Sequence, residues 1–347
     1  MTTSVDPAYK TSSETIPIVD FGPAMQGDRA AFDKAVDEVR AASEHLGFFF
    51  IANHGVPQSL IDRMFEQTER FHALPLERKM AVKATTTSIG YLPLGGQTQR
   101  SYAALYGESK HPDRSTSFYI RREYGPEHPD RIAGKPWALD NHWPDDLDGF
   151  RETAQEYFAA LTRVARRVLV LHATALGMAP DFLVEHDAFR DGNHTLRLLH
   201  YPAADPQLEG QYGIGPHSDY GYGSILAQAK LPGLEVITRA GEWVQAPALA
   251  GHLLFNNGDM CQRWTNDRFR SAPHRVINRT GQARHSIPLF VNPREDVRFD
   301  AFPGCADAAH PPRYEPQSFG EALAARKKNY DLPKAGEPLS YGPTATP

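Results

Sequence analysis

The chain has 347 residues, 41% hydrophobic and 23% charged, ordinary values for a soluble globular protein that exclude a disordered or collagen-like chain. Lysines and arginines number 37 against 42 aspartates and glutamates, a net charge of −5, so neither nucleic acid nor a membrane is expected as a partner. With two cysteines and an N-terminus that lacks a basic, apolar leader pattern, the sequence predicts a protein of the reducing cytoplasm.

Strand and helix patterns alternate in the first part of the chain. Residues 16–21 predict a short strand, and residues 28–46 predict a helix that Gly47 ends. The aromatic run 48–51 predicts a buried strand, and residues 58–74 predict a second helix.

Residues 85–146 show no sustained periodicity, although their aromatic content argues against disorder. The segment 100–122 carries five basic residues against two acidic ones, which suggests an acidic small molecule as ligand. Under this hypothesis the side chains of Arg100, Arg121 and Arg122 contribute to substrate binding.

The longest helical pattern covers residues 148–176, and Gly177 and Pro180 end it. Short apolar runs separated by Gly, Pro and Asn then predict an antiparallel sandwich or barrel: 196–201, 224–229, 234–238, 253–255, 260–264, 274–277 and 286–291. Ser318 and Glu321 form a capping box that predicts the start of a final helix.

Two histidines and an aspartate have a spacing that suits a metal ion. His217 and Asp219 would point to the same face if both lie in one strand, and His274 would approach from another strand. Two imidazoles and one carboxylate on one face leave three octahedral positions open, as in non-haem Fe(II) oxygenases. The same ligands could also hold catalytic zinc.

Arg284 and Ser286 follow His274 at about the distance of the next strand and share one strand face. A planar guanidinium beside a hydroxyl is a good receptor for a carboxylate, because the guanidinium can bind both carboxylate oxygens.

These motifs, taken together, resemble the isopenicillin N synthase-like family of Fe(II)/2-oxoglutarate-dependent oxygenases. The resemblance extends from residue 16 to the C-terminal helix, and its blocks follow in the family order: 47–56, 90–94, 217–221, 233–236, 257–260, 263–266, 274–276 and 284–290. It implies an α+β, mainly β fold: a double-stranded β-helix, or distorted jelly roll, with the N-terminal strands and helices packed on it. The corresponding regions are residues 15–125, the core at 148–300 and a C-terminal helix at 312–330, within one compact unit.

The resemblance also implies the roles of particular residues. His217, Asp219 and His274 would bind Fe(II), and Arg284, Ser286 and Tyr201 would bind 2-oxoglutarate. Leu199 stands where many relatives have Asn, which removes one polar contact from the 2-oxoglutarate site. The substrate would lie near five side chains: Tyr91, Phe118, Tyr119, Phe290 and Asn292.

The implied reaction consumes O₂ and 2-oxoglutarate, with ascorbate as a candidate reductant. It releases succinate and CO₂ while a small molecule is hydroxylated, desaturated or cyclised. Two alternatives stay open at this point. One is an oxidase of the same fold that needs no 2-oxoglutarate, and the other is a non-catalytic jelly-roll binding module. The sequence carries no pattern that predicts an oligomeric state.

Overall fold

The structure is a computed structural model that describes residues 15–84, 89–96, 112–203, 211–228 and 230–327. Its strands in chain order are β1 Ile18–Asp20, β2 Phe48–Ala52, β3 Gly90–Leu92, β4 Thr116–Arg121, β5 Thr195–Tyr201, β6 Ile214–His217, β7 Gly223–Gln228, β8 Leu234–Ile237, β9 Trp243–Gln245, β10 Leu253–Asn257, β11 His274–Val276, β12 Arg284–Val291, β13 Arg298–Phe299 and β14 Gln317–Ser318.

The helices in chain order are α1 Gly22–Met25, α2 Arg29–His45, α3 Gln58–Ala73, α4 Leu76–Ala81, α5 Pro129–Ile132, α6 Phe150–Ala175, α7 Phe182–Glu185, α8 Asp187–Arg190, α9 Asp259–Trp264 and α10 Phe319–Lys327. A 3₁₀ turn covers Pro136–Ala138. Within the described ranges, no helix is both long enough and apolar enough to cross a bilayer.

Two sheets form the body of the protein. The large sheet has eight strands in the order β1-β2-β10-β7-β12-β5-β4-β3, and the small sheet has four in the order β6-β11-β8-β9. Among the described strands of these sheets, only β1 and β2 pair in parallel. This arrangement confirms the expected α+β fold with a double-stranded β-helix.

Helices cover the outer face of the large sheet because each presents an apolar stripe to it. In α6, Tyr157, Leu161, Val164 and Val168 recur at three- and four-residue intervals and are at most 1% exposed. Burying one such side chain contributes about 1.5–3 kcal/mol relative to leaving it in water. The stripe packs in one core with α2, α3 and the outward-facing residues of the large sheet.

Helix α2 begins and ends where the sequence predicts. The Asp28 carboxylate accepts a hydrogen bond of 3.0 Å from the Ala31 amide, which satisfies a free donor of the first turn. Gly47 follows the helix with φ +77°, and a Cβ there would collide with the Arg270 carbonyl oxygen. Only glycine therefore allows the chain to pass directly from α2 into β2.

The inner face of the large sheet and the facing small sheet share a second core. Phe48 and Leu199 of the large sheet pack there with Val236 and Val276 of the small sheet. The Phe48 ring meets the His274 imidazole edge-on, with 5.5 Å between the ring centroids. His274 on the small sheet thus faces the large sheet.

The apolar run 260–264, expected as a strand, forms helix α9 instead. Met260, Cys261 and Trp264 are its buried residues, a spacing that fits a helical turn and not the alternation of a strand. The error has a simple physical cause, because a short apolar run fits either element until its neighbours are known.

The region without periodicity contains two strands of the large sheet, β3 and β4. Residues 116–118 and 120 of β4 are buried and the other two are half-buried, so the strand lacks the polar/apolar alternation of a half-exposed strand. Arg100, residues 97–111 and residues 328–330 of the expected C-terminal region lie outside the described residues.

The capping box of the last helix forms as predicted. The Glu321 amide donates to the Ser318 hydroxyl at 3.1 Å, and the Ser318 amide donates to the Glu321 carboxylate at 2.8 Å. These reciprocal bonds satisfy two donors that would otherwise stay free at the start of α10.

Candidate active site

The three predicted metal ligands converge at one end of the small sheet. His217 is the last residue of β6 and His274 the first of β11, and their Cα atoms are paired across the two strands. Their ring centroids lie 4.3 Å apart. Asp219 Oδ1 lies 3.8 Å from His274 Nε2, and one ligand atom from each residue falls within 4.8 Å of the others.

Asp219 lies in the turn segment 218–222 that connects β6 to β7, and not on a strand face. Strand β6 ends at His217, so the expected sharing of one strand face by His217 and Asp219 is wrong. The chain bends at residues 220–222, directly after the aspartate, and the Asp219 carboxylate lies close to the two imidazoles. The two-residue spacing is still what brings these side chains together.

Backbone hydrogen bonds orient both imidazoles. His217 Nδ1 lies 2.9 Å from the Gly215 carbonyl oxygen, and His274 Nδ1 lies 3.2 Å from that of Ala272. Since a carbonyl only accepts, each Nδ1 carries the proton and each Nε2 keeps its lone pair for a metal ion.

The Asp219 carboxylate uses one oxygen for the protein and leaves the other for a metal. Its Oδ2 accepts hydrogen bonds of 2.8 Å from the Ser224 hydroxyl and 2.8 Å from the Asn256 amide. Burial opposes ionisation, but His274, His217 and these two bonds outweigh it and hold the pKa of Asp219 below its ordinary value. The group is therefore a carboxylate at neutral pH, as metal binding requires.

The turn that carries Asp219 rests against the start of α9. The Asp259 amide donates to the Asp219 carbonyl oxygen at 2.7 Å. The Asp259 carboxyl group contacts the hydroxyl of Ser218 at 3.0 Å and that of Ser271 at 2.8 Å. Burial raises the pKa of Asp259 to about 6. Asp259 thus holds Ser218, the residue between His217 and Asp219, in place.

The predicted 2-oxoglutarate residues form a separate cluster on the inner face of the large sheet. Arg284 of β12 pairs with Tyr201 of β5, and its guanidinium carbon lies 5.0 Å from the centre of the tyrosine ring. The Tyr201 hydroxyl lies 3.4 Å from the Ser286 hydroxyl. Leu199 pairs with Ser286 on the same face and is buried, so this position contributes apolar surface.

One buried donor of Arg284 lacks a hydrogen-bond partner among the described residues. The side chain is 1% exposed, and its Nε donates to the Leu231 carbonyl oxygen at 3.1 Å. Its Nη1 is buried and has no hydrogen-bond partner among the described residues. A buried, unsatisfied donor on a cation is costly, and a carboxylate is the group that would satisfy it. The residues present therefore fit the carboxylate of 2-oxoglutarate as well as a metal ion.

Three of the five predicted substrate residues are near the inner face of the large sheet. Tyr119 pairs with Arg197 and Phe290 with Ser224, so both lie on the same face as the 2-oxoglutarate cluster. Asn292 follows β12, and its amide lies 3.4 Å from the Thr195 hydroxyl.

The other two predicted substrate residues, Tyr91 and Phe118, do not lie on the inner face. They pair with each other in β3 and β4 and are buried in the core beneath the helices, where the Phe71 ring contacts both. The physical reason is strand parity, because successive side chains point to opposite faces and only Tyr119 of the pair 118–119 faces inward. The structure thus contradicts this expectation for Tyr91 and Phe118.

Comparison with known proteins identifies the family. The family model for the 2OG-Fe(II) oxygenase superfamily matches residues 192–293, and the one described as non-haem dioxygenase in morphine synthesis, N-terminal, matches residues 16–146. The 2-oxoglutarate-Fe(II) type oxidoreductase hxnY of Emericella nidulans is 35% identical over 338 residues, which is 92% of this chain and 95% of that protein. The chain belongs to the family of 2-oxoglutarate- and Fe(II)-dependent oxygenases.

Solved structures of related proteins share the fold. A full-length Neurospora crassa protein, solved in complex with alpha-KG and thymine, matches with a TM-score of 0.79 and 28% identity over 91% of this chain and 97% of that one. A 2OG-Fe(II) oxygenase family protein of Caulobacter crescentus matches with a TM-score of 0.78 and 30% identity over 92% and 99%. The alpha-KG in the Neurospora crassa structure is 2-oxoglutarate. This oxygenase is therefore an enzyme that uses Fe(II) and 2-oxoglutarate. The alternatives without 2-oxoglutarate or without catalysis lose their support.

Sequence reasoning missed three residues close to the candidate site of this oxygenase. Ser224 and Asn256 hold Asp219, and Arg197 lies buried on the inner face beside Tyr119. Asn256 directly precedes the Asn-Gly-Asp block and Ser224 follows the glycines after Asp219, so both lay next to recognised motifs. Arg197 could have been found from the position of Tyr201, because every second side chain of a strand points to the same face and Arg197 lies four residues before Tyr201.

Proposed function

We propose that His217, Asp219 and His274 bind the iron and that Arg284, Ser286 and Tyr201 bind the far carboxylate of 2-oxoglutarate. The convergence of three buried ligands with both Nε2 atoms and Asp219 Oδ1 directed inward supports the first assignment. The observation that carries the second is the buried Nη1 of Arg284, which no described residue satisfies.

We further propose that the reaction is hydroxylation of a C–H bond in a small molecule. The bound metal would supply the activation of O₂, with one oxygen atom entering succinate and the other the product as CO₂ leaves. The protein's own part is to place the substrate and to keep water out, and the apolar inner face suits this task. The complex of the Neurospora crassa protein with thymine supports a small substrate that contains a ring.

An anaerobic titration tests the iron and 2-oxoglutarate assignments. Metal-free protein receives Fe(II) and then 2-oxoglutarate, and the visible charge-transfer absorption of the chelate is recorded. We expect the band in the wild type, its loss in His217→Ala and a weaker band at equal 2-oxoglutarate in Arg284→Ala. Iron binding without any band would refute 2-oxoglutarate chelation, and an undiminished band in Arg284→Ala would refute the role of Arg284.

Arg121 and Arg122, which the sequence hypothesis assigned to an acidic substrate, have other neighbours. Arg121 Nη1 lies 3.6 Å from the Glu295 carboxylate, and Arg122 Nη1 lies 3.0 Å from that of Asp191. Both line a cavity of about 390 Å³ that also borders α6. We therefore place the substrate elsewhere, on the inner face of the large sheet.

A further inference from the structure

The inner face of the large sheet carries a second buried arginine besides Arg284. Arg197 in β5 is 6% exposed, and among the described arginines only these two are buried. The guanidinium carbon of Arg197 lies 4.7 Å from the centre of the Tyr119 ring on β4. The Tyr119 ring therefore helps to hold this cation in position.

Strand register places Arg197 between the two parts of the active site. On one side along β5, Leu199 pairs with Ser286 of the 2-oxoglutarate cluster. On the other side, Thr195 pairs with Phe290, which in turn pairs with Ser224, the residue that holds Asp219. Along β5, Arg197 is thus the inward-facing residue between Leu199, which lies beside the 2-oxoglutarate cluster, and Thr195, which lies on the side of Ser224.

A second guanidinium at this place is more than 2-oxoglutarate needs. Arg284 would already provide the cationic partner for its far carboxylate, and the ion held by His217, Asp219 and His274 would attract its other end. Arginine presents five N–H donors in a planar fork, which suits two neighbouring oxygen acceptors in one plane. Phe290, half-buried on the adjacent strand, adds an aromatic surface beside it.

We propose that Arg197, positioned by Tyr119, binds a planar oxygen acceptor of the substrate, either a carboxylate or a ring carbonyl, and that a flat ring of this substrate packs on Phe290. This inference rests on the proposed function, since it assumes that 2-oxoglutarate occupies the Arg284 cluster. It names the substrate class as small, flat molecules with such an acceptor. Arg197 then decides which molecule is oxidised without taking part in 2-oxoglutarate binding.

The test measures substrate binding and not turnover. The anaerobic complex with Fe(II) and 2-oxoglutarate is titrated with small ring carboxylates and cyclic amides, with benzoate and thymine as first members and fluorobenzene as the ring without an oxygen acceptor. Binding is read from the change in the charge-transfer band. The variants are Arg197→Gln, Arg197→Lys and Tyr119→Leu, with Arg63→Gln, which loses only an exposed ion pair to Glu156, as matched control.

We expect the wild type to bind at least one acceptor compound about tenfold or more tightly than fluorobenzene. Arg197→Gln should lose that preference while the 2-oxoglutarate band stays intact, and Tyr119→Leu should weaken it. Arg197→Lys, which keeps the charge but not the fork, should retain more affinity for benzoate than for thymine, and so separates the two acceptor types. Arg63→Gln should behave as the wild type.

Three results would overturn the inference while leaving the proposed function intact. They are a wild type with a normal band that binds no acceptor compound, a wild type without preference over fluorobenzene, and an unchanged preference in Arg197→Gln. A wild type without any charge-transfer band would instead overturn the proposed function. Loss of the band in Arg197→Gln alone would assign Arg197 to 2-oxoglutarate and so refute its separate role.

Discussion

The two oxygens of Asp219 have different tasks, and this difference can be tested with single substitutions. Ser224→Ala removes one of the two hydrogen bonds to Oδ2, so the carboxylate loses part of its orientation towards the metal. We expect Fe(II) affinity to fall by roughly tenfold to a hundredfold, the usual effect of removing a group that orients a ligand. The measurement is an anaerobic Fe(II) titration.

Thr162→Ala is the matched control, because the Thr162 hydroxyl only bonds the Phe158 carbonyl oxygen within its own helix. An Fe(II) affinity of Ser224→Ala equal to that of this control would mean that Asn256 alone orients Asp219.

A second prediction at this scale concerns Arg284. Arg284→Lys keeps the positive charge but loses the planar fork that can bind both carboxylate oxygens. We expect the dissociation constant for 2-oxoglutarate to rise by about tenfold to a hundredfold, since a hydrogen bond to a charged group contributes about 1.5–3 kcal/mol. Fe(II) affinity without 2-oxoglutarate should not change. The same titration measures both constants, and equal 2-oxoglutarate affinity in the two proteins contradicts the assignment.

At the level of single residues, the sequence predicts the proposed metal ligands and misses the residues that hold them in place. His217, Asp219 and His274 could be found because the residue types and spacing suit a metal. Ser224 and Asn256 could not, because their contact with Asp219 depends on β7 and β10 being neighbours in the sheet. Phe118 was misplaced and Tyr119 was not, since a shift of one residue along a strand reverses the face.

At the scale of elements, the Asp219 turn depends on close packing against the start of α9. A Cβ at Gly258 would collide with the Gly221 carbonyl oxygen and lie 2.9 Å from that of Asp219. We expect Gly258→Ala to displace the turn and to weaken Fe(II) binding more than Ser224→Ala does, because both the backbone and the carboxylate of Asp219 move. The Fe(II) titration measures this effect, and a thermal melt shows whether the fold survives.

Gly125→Ala is the control for this substitution, since a Cβ there meets no atom within 4 Å and the backbone is not left-handed. If Gly258→Ala bound Fe(II) as tightly as Gly125→Ala, the turn would not depend on this contact.

Elements with an apolar stripe or an unbroken apolar run could be predicted from the sequence, whereas β4, which mixes polar and apolar residues on two enclosed faces, could not. Helices α2, α3 and α6 each have a polar side, so their spacing is visible in the sequence. Strand β4 is enclosed on both faces and carries the polar side chains of Ser117 and Tyr119 inward, so no simple pattern marks it.

For the molecule as a whole, buried histidines should set the dependence of stability on pH. Burial lowers the pKa of His172 to about 3 and those of His194 and His285 to about 4, from an ordinary value of 6.5. As the pH falls below 6.5, these histidines are protonated in the unfolded chain but stay neutral in the folded protein. Stability is therefore full above pH 6.5 and falls between pH 6.5 and about 4, whereas Asp259, with its raised pKa, offsets part of the loss below about pH 6.

Urea unfolding at pH 7.5, 6.0 and 5.0 measures this effect. Each proton of difference changes the free energy of unfolding by about 1.4 kcal/mol per pH unit. His285→Asn should show a shallower decline than the wild type, because the imidazole stacked on His200, at 4.9 Å between centroids, is gone. A free energy of unfolding that is constant or rises from pH 7.5 to 5.0 would show that these histidines are accessible to protons in the folded state.

The position of the metal ligands has a consequence for the lifetime of the protein. His217 and His274 belong to the small sheet, while Asp219 is held by Ser224 and Asn256 of the large one. An ion bound by all three would join the two sheets at this point and close the loops of chain between the ligands, and it would stabilise only the folded state. The iron-free protein should therefore open more readily at this end, so that proteases cut it faster than the iron-loaded enzyme.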